Sequence, residues 1–154
     1  MKPRVYIDTS VIGGCLDEEF ARWSKALIDR LEAGSVRAVI SDLTRSEIDL
    51  APGNVQKILS SIPTDAIENV FLNEEAINLS REYLLEDIIP LKHIIDAQHI
   101  AIATVEQVDL LVSWNFQHIV NIQRIRGFNA VNLKNGYHML EIRSPREVVY
   151  EQEY

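Results

Sequence analysis

Short apolar runs alternate along this chain with stretches of helical period, and the first run, Val5-Tyr6-Ile7, ends directly on a carboxylate, Asp8. Strands alternating with amphipathic helices point to an α/β domain with a mostly parallel sheet. Parallel sheets bind ligands outside the carboxyl ends of their strands. An acid at that end of the first strand is therefore placed where chemistry is expected.

The first strand reads as residues 4–7. Phe20, Trp23, Leu27 and Leu31 fall at helical spacing over residues 20–33, and Gly34 supplies a stop. Residues 36–40 read as the second strand. Ser41 or Asp42 can cap the short helix that carries Glu47, and Pro52-Gly53 breaks it. Val55, Ile58, Leu59 and Ile62 mark another short helix, closed by Pro63. Val70-Phe71-Leu72 reads as a short strand. Asn73 caps a helix whose inner side is Ala76, Ile77, Ser80, Tyr83 and Leu84. Residues 94–106 are apolar nearly all round, the pattern of a buried helix. Leu110-Leu111-Val112 lies in an interior strand over residues 108–114. A helix is expected over residues 116–125, closed by Gly127, with a last strand at Ala130-Val131-Asn132-Leu133. Ser144 can cap a final turn with Pro145 at its first position. With no repeat and no linker, the 154 residues read as a single domain over 1–154.

Apolar residues at 47% suffice for an ordinary core. One cysteine, Cys15, excludes an internal disulfide and supplies no zinc cluster. The net charge of -8, from 23 acids against 15 bases, counts against a non-enzymatic nucleic-acid-binding module. It leaves a nuclease open, because divalent cations cancel a local acidic field. No apolar stretch suits a signal peptide or a membrane span, so the expectation is a cytoplasmic protein with no membrane partner.

Four polar groups stand out. Asp8 is followed by the hydroxyls of Thr9 and Ser10, and capping of the next helix is its alternative reading. Glu47 reads either as a ligand or as a surface acid. Asp96 opens the nearly buried helix, where the helix dipole favours an acid; a simple cap is again the alternative. Asn115 closes Ser113-Trp114-Asn115, and its carbonyl oxygen can bind a metal or a metal-bound water, with Ser113 at one remove. Oxygen-only ligands suit Mg²⁺ or Mn²⁺ better than zinc. Acids held together repel when empty, which predicts metal-linked stability. His93, His99, His118 and His138 lack zinc-site spacing and read as structural, with His118 the one within reach of a phosphate. There is no phosphate-binding glycine loop and no dinucleotide fingerprint.

Four pieces in order resemble the PIN domain family: Val5-Tyr6-Ile7-Asp8-Thr9-Ser10, Ile40-Ser41-Asp42-Leu43-Thr44-Arg45-Ser46-Glu47-Ile48, Asp96-Ala97-Gln98-His99-Ile100-Ala101, and Val108-Asp109-Leu110-Leu111-Val112-Ser113-Trp114-Asn115-Phe116. The resemblance runs over residues 4–133. It implies a three-layer α/β/α fold and a metal-dependent ribonuclease, often a toxin of a bacterial toxin–antitoxin pair and often a dimer. The family's acids fall on Asp8, Glu47 and Asp96, and its further aspartate falls on Asn115. That departure keeps an oxygen but removes a charge, and weakens a second metal position more than the first. Asp109 stands at the opposite end of its strand from Asn115.

The expectation is therefore hydrolysis of RNA phosphodiesters by water activated on Mg²⁺ or Mn²⁺. Asp8, Glu47, Asp96 and Asn115 form the catalytic and metal-binding set. Ser10, Ser113 and His118 contact water or substrate. Arg45, Arg124 and Arg126 are backbone contacts, each equally readable as solvated surface charge. The expected partners are RNA, a second copy of the chain and a small antitoxin protein. Two alternatives stand beside this: a PIN-like protein of weak or no activity that works by binding a partner, and a Mg²⁺-dependent phosphohydrolase of small phosphate esters.

Overall fold

Along β1 (Arg4–Ile7), Val5 and Ile7 enter one core cluster and Tyr6 the other, the period of two that a strand buried on both faces must show. The computed structural model describes residues 2–150; the ends of the expected 1–154 domain, Met1 and residues 151–154, lie outside the described residues. After β1 come α1 (Thr9–Gly14), α2 (Ala21–Glu32), β2 (Arg37–Ser41), α3 (Asp42–Asp49) and α4 (Gly53–Ser61). A 3-10 turn (Thr64–Ala66) leads to β3 (Ile67–Val70) and α5 (Glu74–Leu85). A second 3-10 turn (Leu91–His93) opens α6 (Ile94–Val105), followed by β4 (Leu110–Val112), α7 (Ile122–Lys134), β5 (Ile142–Arg143) and α8 (Pro145–Tyr150).

The sheet has the order β3-β2-β1-β4-β5, and every neighbouring pair is parallel. One face carries α2, α4 and α8 through Leu27, Leu31, Leu59 and Val149. The other carries α5, α6 and α7 through Leu79, Tyr83, Ile100, Phe128 and Val131. The result is the three-layer α/β/α fold. All five strands run the same way, so the carboxyl ends of β1, β2 and β4 share one edge. No helix among the described residues is long and apolar enough to cross a membrane.

Local signals account for most boundaries. Gly34 ends α2 with φ +78, a conformation that costs glycine little. Asn73 caps α5, its side chain accepting from the Ala76 N–H at 2.9 Å. Ser144 and Glu147 form a reciprocal capping box at α8, with Glu147 Oε1 3.2 Å from the Ser144 N–H.

Three expectations are corrected. The strand expected at 70–72 is β3 and lies earlier, at Ile67–Val70: of the expected run only Val70 belongs to it, and Phe71 is exposed. The helix expected over 116–125 begins only at Ile122, with Asn121 as its cap accepting from Gln123 and Arg124 N–H. It runs through Gly127, where Ile88 Cγ2 lies 2.8 Å from any Cβ that could be added; that glycine permits close packing and ends nothing. The run 130–133 belongs to this same helix, burying Phe128, Val131 and Asn132 and exposing Leu133. The last strand is the two-residue β5.

Candidate active site

Strand register builds the first half of the site. Ile7 pairs with Val112, so the next residues, Asp8 and Ser113, stand side by side beyond the sheet. Ser113 Oγ donates to Asp8 Oδ2 at 2.6 Å. Ser10 Oγ donates to Asp8 Oδ1 at 2.6 Å and accepts from the Trp114 N–H at 2.9 Å, tying α1 to the end of β4. Asp8 also caps α1 through the Val11 N–H, as its alternative reading expected. The carboxyl group is almost wholly buried. Burial pushes its pKa up, and the bonds from Ser10 and Ser113 offset part of that rise.

The second half comes from α3 and α6. Ser41 ends β2 and caps α3, accepting from the Thr44 N–H at 3.2 Å. Thr44 Oγ1 donates to the Ile7 carbonyl at 3.3 Å and fastens α3 to the end of β1. Glu47, on that helix, places Oε1 2.7 Å from His99 Nε2. His99 is buried, and its Nδ1 lies 2.6 Å from the Tyr6 hydroxyl, which lies 2.7 Å from Ser41 Oγ. With a neutral ring every proton has an acceptor: Ser41 donates to Tyr6, Tyr6 to Nδ1, and Nε2 to Glu47. The bond from His99 holds the Glu47 carboxyl below its usual range, against the opposing effect of burial.

Asp96 stands in the first turn of α6. Burial raises its pKa. Asn115 Nδ2 donates to Asp96 Oδ2 at 3.4 Å. The orientation of that amide is set by the backbone, because Asn115 Oδ1 accepts from the N–H groups of Gln117 (3.2 Å) and His118 (3.0 Å). Both lone pairs of the Asn115 oxygen are thus engaged, and the face toward Asp96 is a donor. His118 packs against His93 with ring centroids 3.6 Å apart and planes tilted by 30°. Its Nδ1 is buried without a partner, and burial together with His93 lowers its pKa.

The donor chemistry fits a hard divalent cation. Asp8 Oδ2 accepts one bond, Glu47 engages only Oε1, and Asp96 engages only Oδ2, so each acid retains an acceptor position. The Thr9 hydroxyl is buried beside them without a partner, and its nearness to Glu47 lowers that acid's pKa further. Among the described residues, no three His, Cys, Asp or Glu side chains are already arranged around one point.

The three arginines lie differently. Arg45 grips Asn69 Oδ1 through two bonds, of 3.0 and 2.7 Å. Arg124 donates to the Ile88 carbonyl, and Arg126 is exposed. Asp109 accepts from the Arg4 N–H at 2.7 Å, at the far end of the sheet. Sequence reasoning missed the role of His99 and Tyr6. The available signal was that His99 follows Asp96 by three, on the same face of a nearly buried helix.

No family model and no curated protein matches the sequence. Solved structures do match. VapBC2 from Rickettsia felis, bound to a DNA fragment from their promoter, superposes with TM-score 0.60 at 12% identity, covering 92% of this chain and 98% of that one. FitAcB from Neisseria gonorrhoeae gives 0.59 at 16% identity over 92% and 97%. VapC20 of Mycobacterium tuberculosis, a Sarcin-Ricin loop cleaving toxin, gives 0.55 at 13% identity over 88% and 98%. At these identities the likeness establishes the fold, which is that of a PIN domain.

Proposed function

We propose that this PIN-domain chain is a Mg²⁺- or Mn²⁺-dependent ribonuclease, acting as the toxin of a toxin–antitoxin pair. The observation that carries the reading is that Asp8, Glu47 and Asp96 stand at one sheet edge, Glu47 and Asp96 each with an oxygen that accepts no hydrogen bond and Asp8 with one acceptor position left on Oδ2. A similar fold in a toxin that cleaves the Sarcin-Ricin loop supports the substrate class. A small antitoxin protein and a second copy of the chain belong to the same proposal, as does a cytoplasmic location.

Asp8, Glu47 and Asp96 would hold the ion, with the Thr9 hydroxyl beside them. A divalent ion held by these residues would supply Lewis acidity, lowering the pKa of water and offsetting negative charge on phosphoryl oxygens. The chain's own residues hold this site in shape. Ser10 and Ser113 fix the Asp8 carboxylate from two sides. His99 holds Glu47 ionised, and Asn115 orients Asp96 with its amide N–H. His118, packed against His93 at the edge of the site, is a candidate contact for substrate or water through its ring.

A second reading, a PIN-like protein that acts by binding a partner, is favoured by one observation. The oxygen of Asn115 is spent on the backbone, so this position adds neither charge nor ligand. Calorimetric titration with Mn²⁺ separates the two. Binding by the wild type that is lost in Asp8→Asn and Asp96→Asn, together with RNA cleavage lost in the same variants, supports the ribonuclease. A folded wild type that binds no Mn²⁺ leaves the partner-binding reading.

A further inference from the structure

A group of bases adjoins the acids on one side only. We propose that Lys92, His93 and His118, on the rim where α6 and α7 open, bind a phosphodiester that flanks the one at Asp8, Glu47 and Asp96, so that the RNA strand leaves the site across this rim. The inference rests on the ribonuclease reading of those acids.

Charge makes the first argument. A net charge of -8 repels a polyanion, yet residues 88–95 and 110–140 contain no aspartate or glutamate. These two stretches carry the turn Leu91–His93 and the whole of α7. The other borders of the site are acidic. Asp17, Glu18 and Glu19 lie between α1 and α2, and α3 carries Asp42 and Asp49 besides Glu47. A strand with one phosphate at the acids meets the least repulsion toward α6 and α7.

Contact makes the second. The His118 N–H donates to Asn115 Oδ1 at 3.0 Å, and the Asn115 amide donates to Asp96, so His118 adjoins the acids directly. Its ring packs on His93, where α6 opens without a side-chain cap. The dipole of this 12-residue helix adds positive potential at the same place. His118 Nδ1 is closed off, so a ligand meets the ring at its other nitrogen. Burial and His93 lower the His118 pKa against the charge of Asp96, and Arg124 and Lys92 lower it further, so the four bases share one neighbourhood. Lys92 is exposed and makes no ion pair among the described residues. It supplies the charge, and the imidazoles supply hydrogen bonds.

Arg124 is a positioning residue. It donates to the Ile88 carbonyl and so ties the segment leading to Lys92 and His93 onto α7. Arg126 follows two residues later, about 200° round the helix, and faces away from this group. Arg45 stands on α3, held by Asn69.

Fluorescence anisotropy in EDTA, with a labelled oligouridylate over a range of salt, tests the subsite. Lys92→Gln should weaken binding about fivefold or more near 50 mM salt and reduce the salt slope by about 0.7, the share of one single-strand phosphate. Lys92→Arg should keep the wild-type slope. Arg124→Gln should lose affinity as well. Arg37→Gln removes a charge at the opposite sheet edge, where β2 begins, and should keep the wild-type slope. An unchanged slope in Lys92→Gln overturns the proposal and would leave the rim to an acidic protein surface. An equal loss in Arg37→Gln overturns it as a diffuse charge effect, and so does a wild type that binds no RNA at low salt. Because binding is read without metal, these failures are distinct from failure of the ribonuclease reading, which the Mn²⁺ titration and cleavage assay decide.

Discussion

His99 Nε2 lies 2.7 Å from Glu47 Oε1, a buried ring holding a half-exposed acid across 52 residues of sequence. The same ring meets Tyr6 on its other nitrogen, so Glu47 is braced from the middle of the sheet. His99→Ala should cost about 2–4 kcal/mol, since it leaves a cavity and the Tyr6 hydroxyl without one of its partners. His99→Gln keeps a donor toward Glu47 and should recover part of that loss together with Mn²⁺ affinity. Urea denaturation and calorimetry read both. An unchanged Mn²⁺ isotherm in a folded His99→Ala would show that the ring does not position Glu47.

Asp8 and Glu47 should titrate with opposite effects on stability. Burial raises the Asp8 pKa, so the folded chain holds that proton more tightly than the unfolded chain. Its contribution is greatest below the unfolded value of about 3.9 and is lost as pH rises through the raised folded value. His99 lowers the Glu47 pKa, so that contribution is present above about 4.3 and is lost as pH falls through the folded value. In EDTA, Asp8→Asn should melt above the wild type at neutral pH, by several degrees for about 1 kcal/mol, and the gap should close in acid. Glu47→Gln should melt below the wild type at neutral pH, with its gap closing in acid too. Melts that keep either gap constant across the range would contradict the assignment.

Mn²⁺ should reverse the first of those orders. An ion at a hundred times its dissociation constant stabilises the folded state by about 2.7 kcal/mol. The wild type should gain this and Asp8→Asn should not, so their melting curves cross as Mn²⁺ is added. Equal gains in both would place the ion elsewhere.

Asn115→Asp exchanges a donor facing Asp96 for a second acid. Without metal the like charges should lower stability by about 1 kcal/mol and raise the Asp96 pKa further. With Mn²⁺ the affinity should rise. Calorimetry showing unchanged affinity would place this side chain outside the ion's shell.

Gly14 and Gly13 are neighbours with opposite tolerance. A Cβ at Gly14 would sit 2.6 Å from Ser24 Oγ and 2.7 Å from the Trp114 ring nitrogen. Gly14→Ala should therefore cost about 1–3 kcal/mol. Gly13→Ala meets open space and should gain up to about 1 kcal/mol from helix propensity. The two urea midpoints should move in opposite directions.

Elements with a full period of signal were legible. The helical spacing of Phe20, Trp23, Leu27 and Leu31, the apolar run at Leu110–Val112 and the caps at Ser41, Asn73 and Ser144 all mark elements the structure contains. The misreadings share a cause. Ala130-Val131-Asn132-Leu133 is apolar enough for a strand, and its helical burial shows only once Phe128 and Val131 pack on α5 and α6. Gly127 reads as a stop until Ile88 is seen pressed against it. A two-residue strand such as β5 has no period to detect, and only its pairing with β4 defines it.

The sequence by itself determined that strands and helices alternate and that the sheet is parallel, because periodicity, caps and strand ends are local properties; the grouping of Asp8, Glu47 and Asp96 came from the resemblance to PIN domains. Only the tertiary structure decided how those acids stand. The Ile7–Val112 register sets Ser113 beside Asp8, and Tyr6 reaches His99 across 93 residues to brace Glu47. Backbone capping turns the Asn115 amide so that it gives Asp96 a proton donor. These contacts join residues far apart in the chain, and their geometry exists only when the strands have paired and the helices have closed over them.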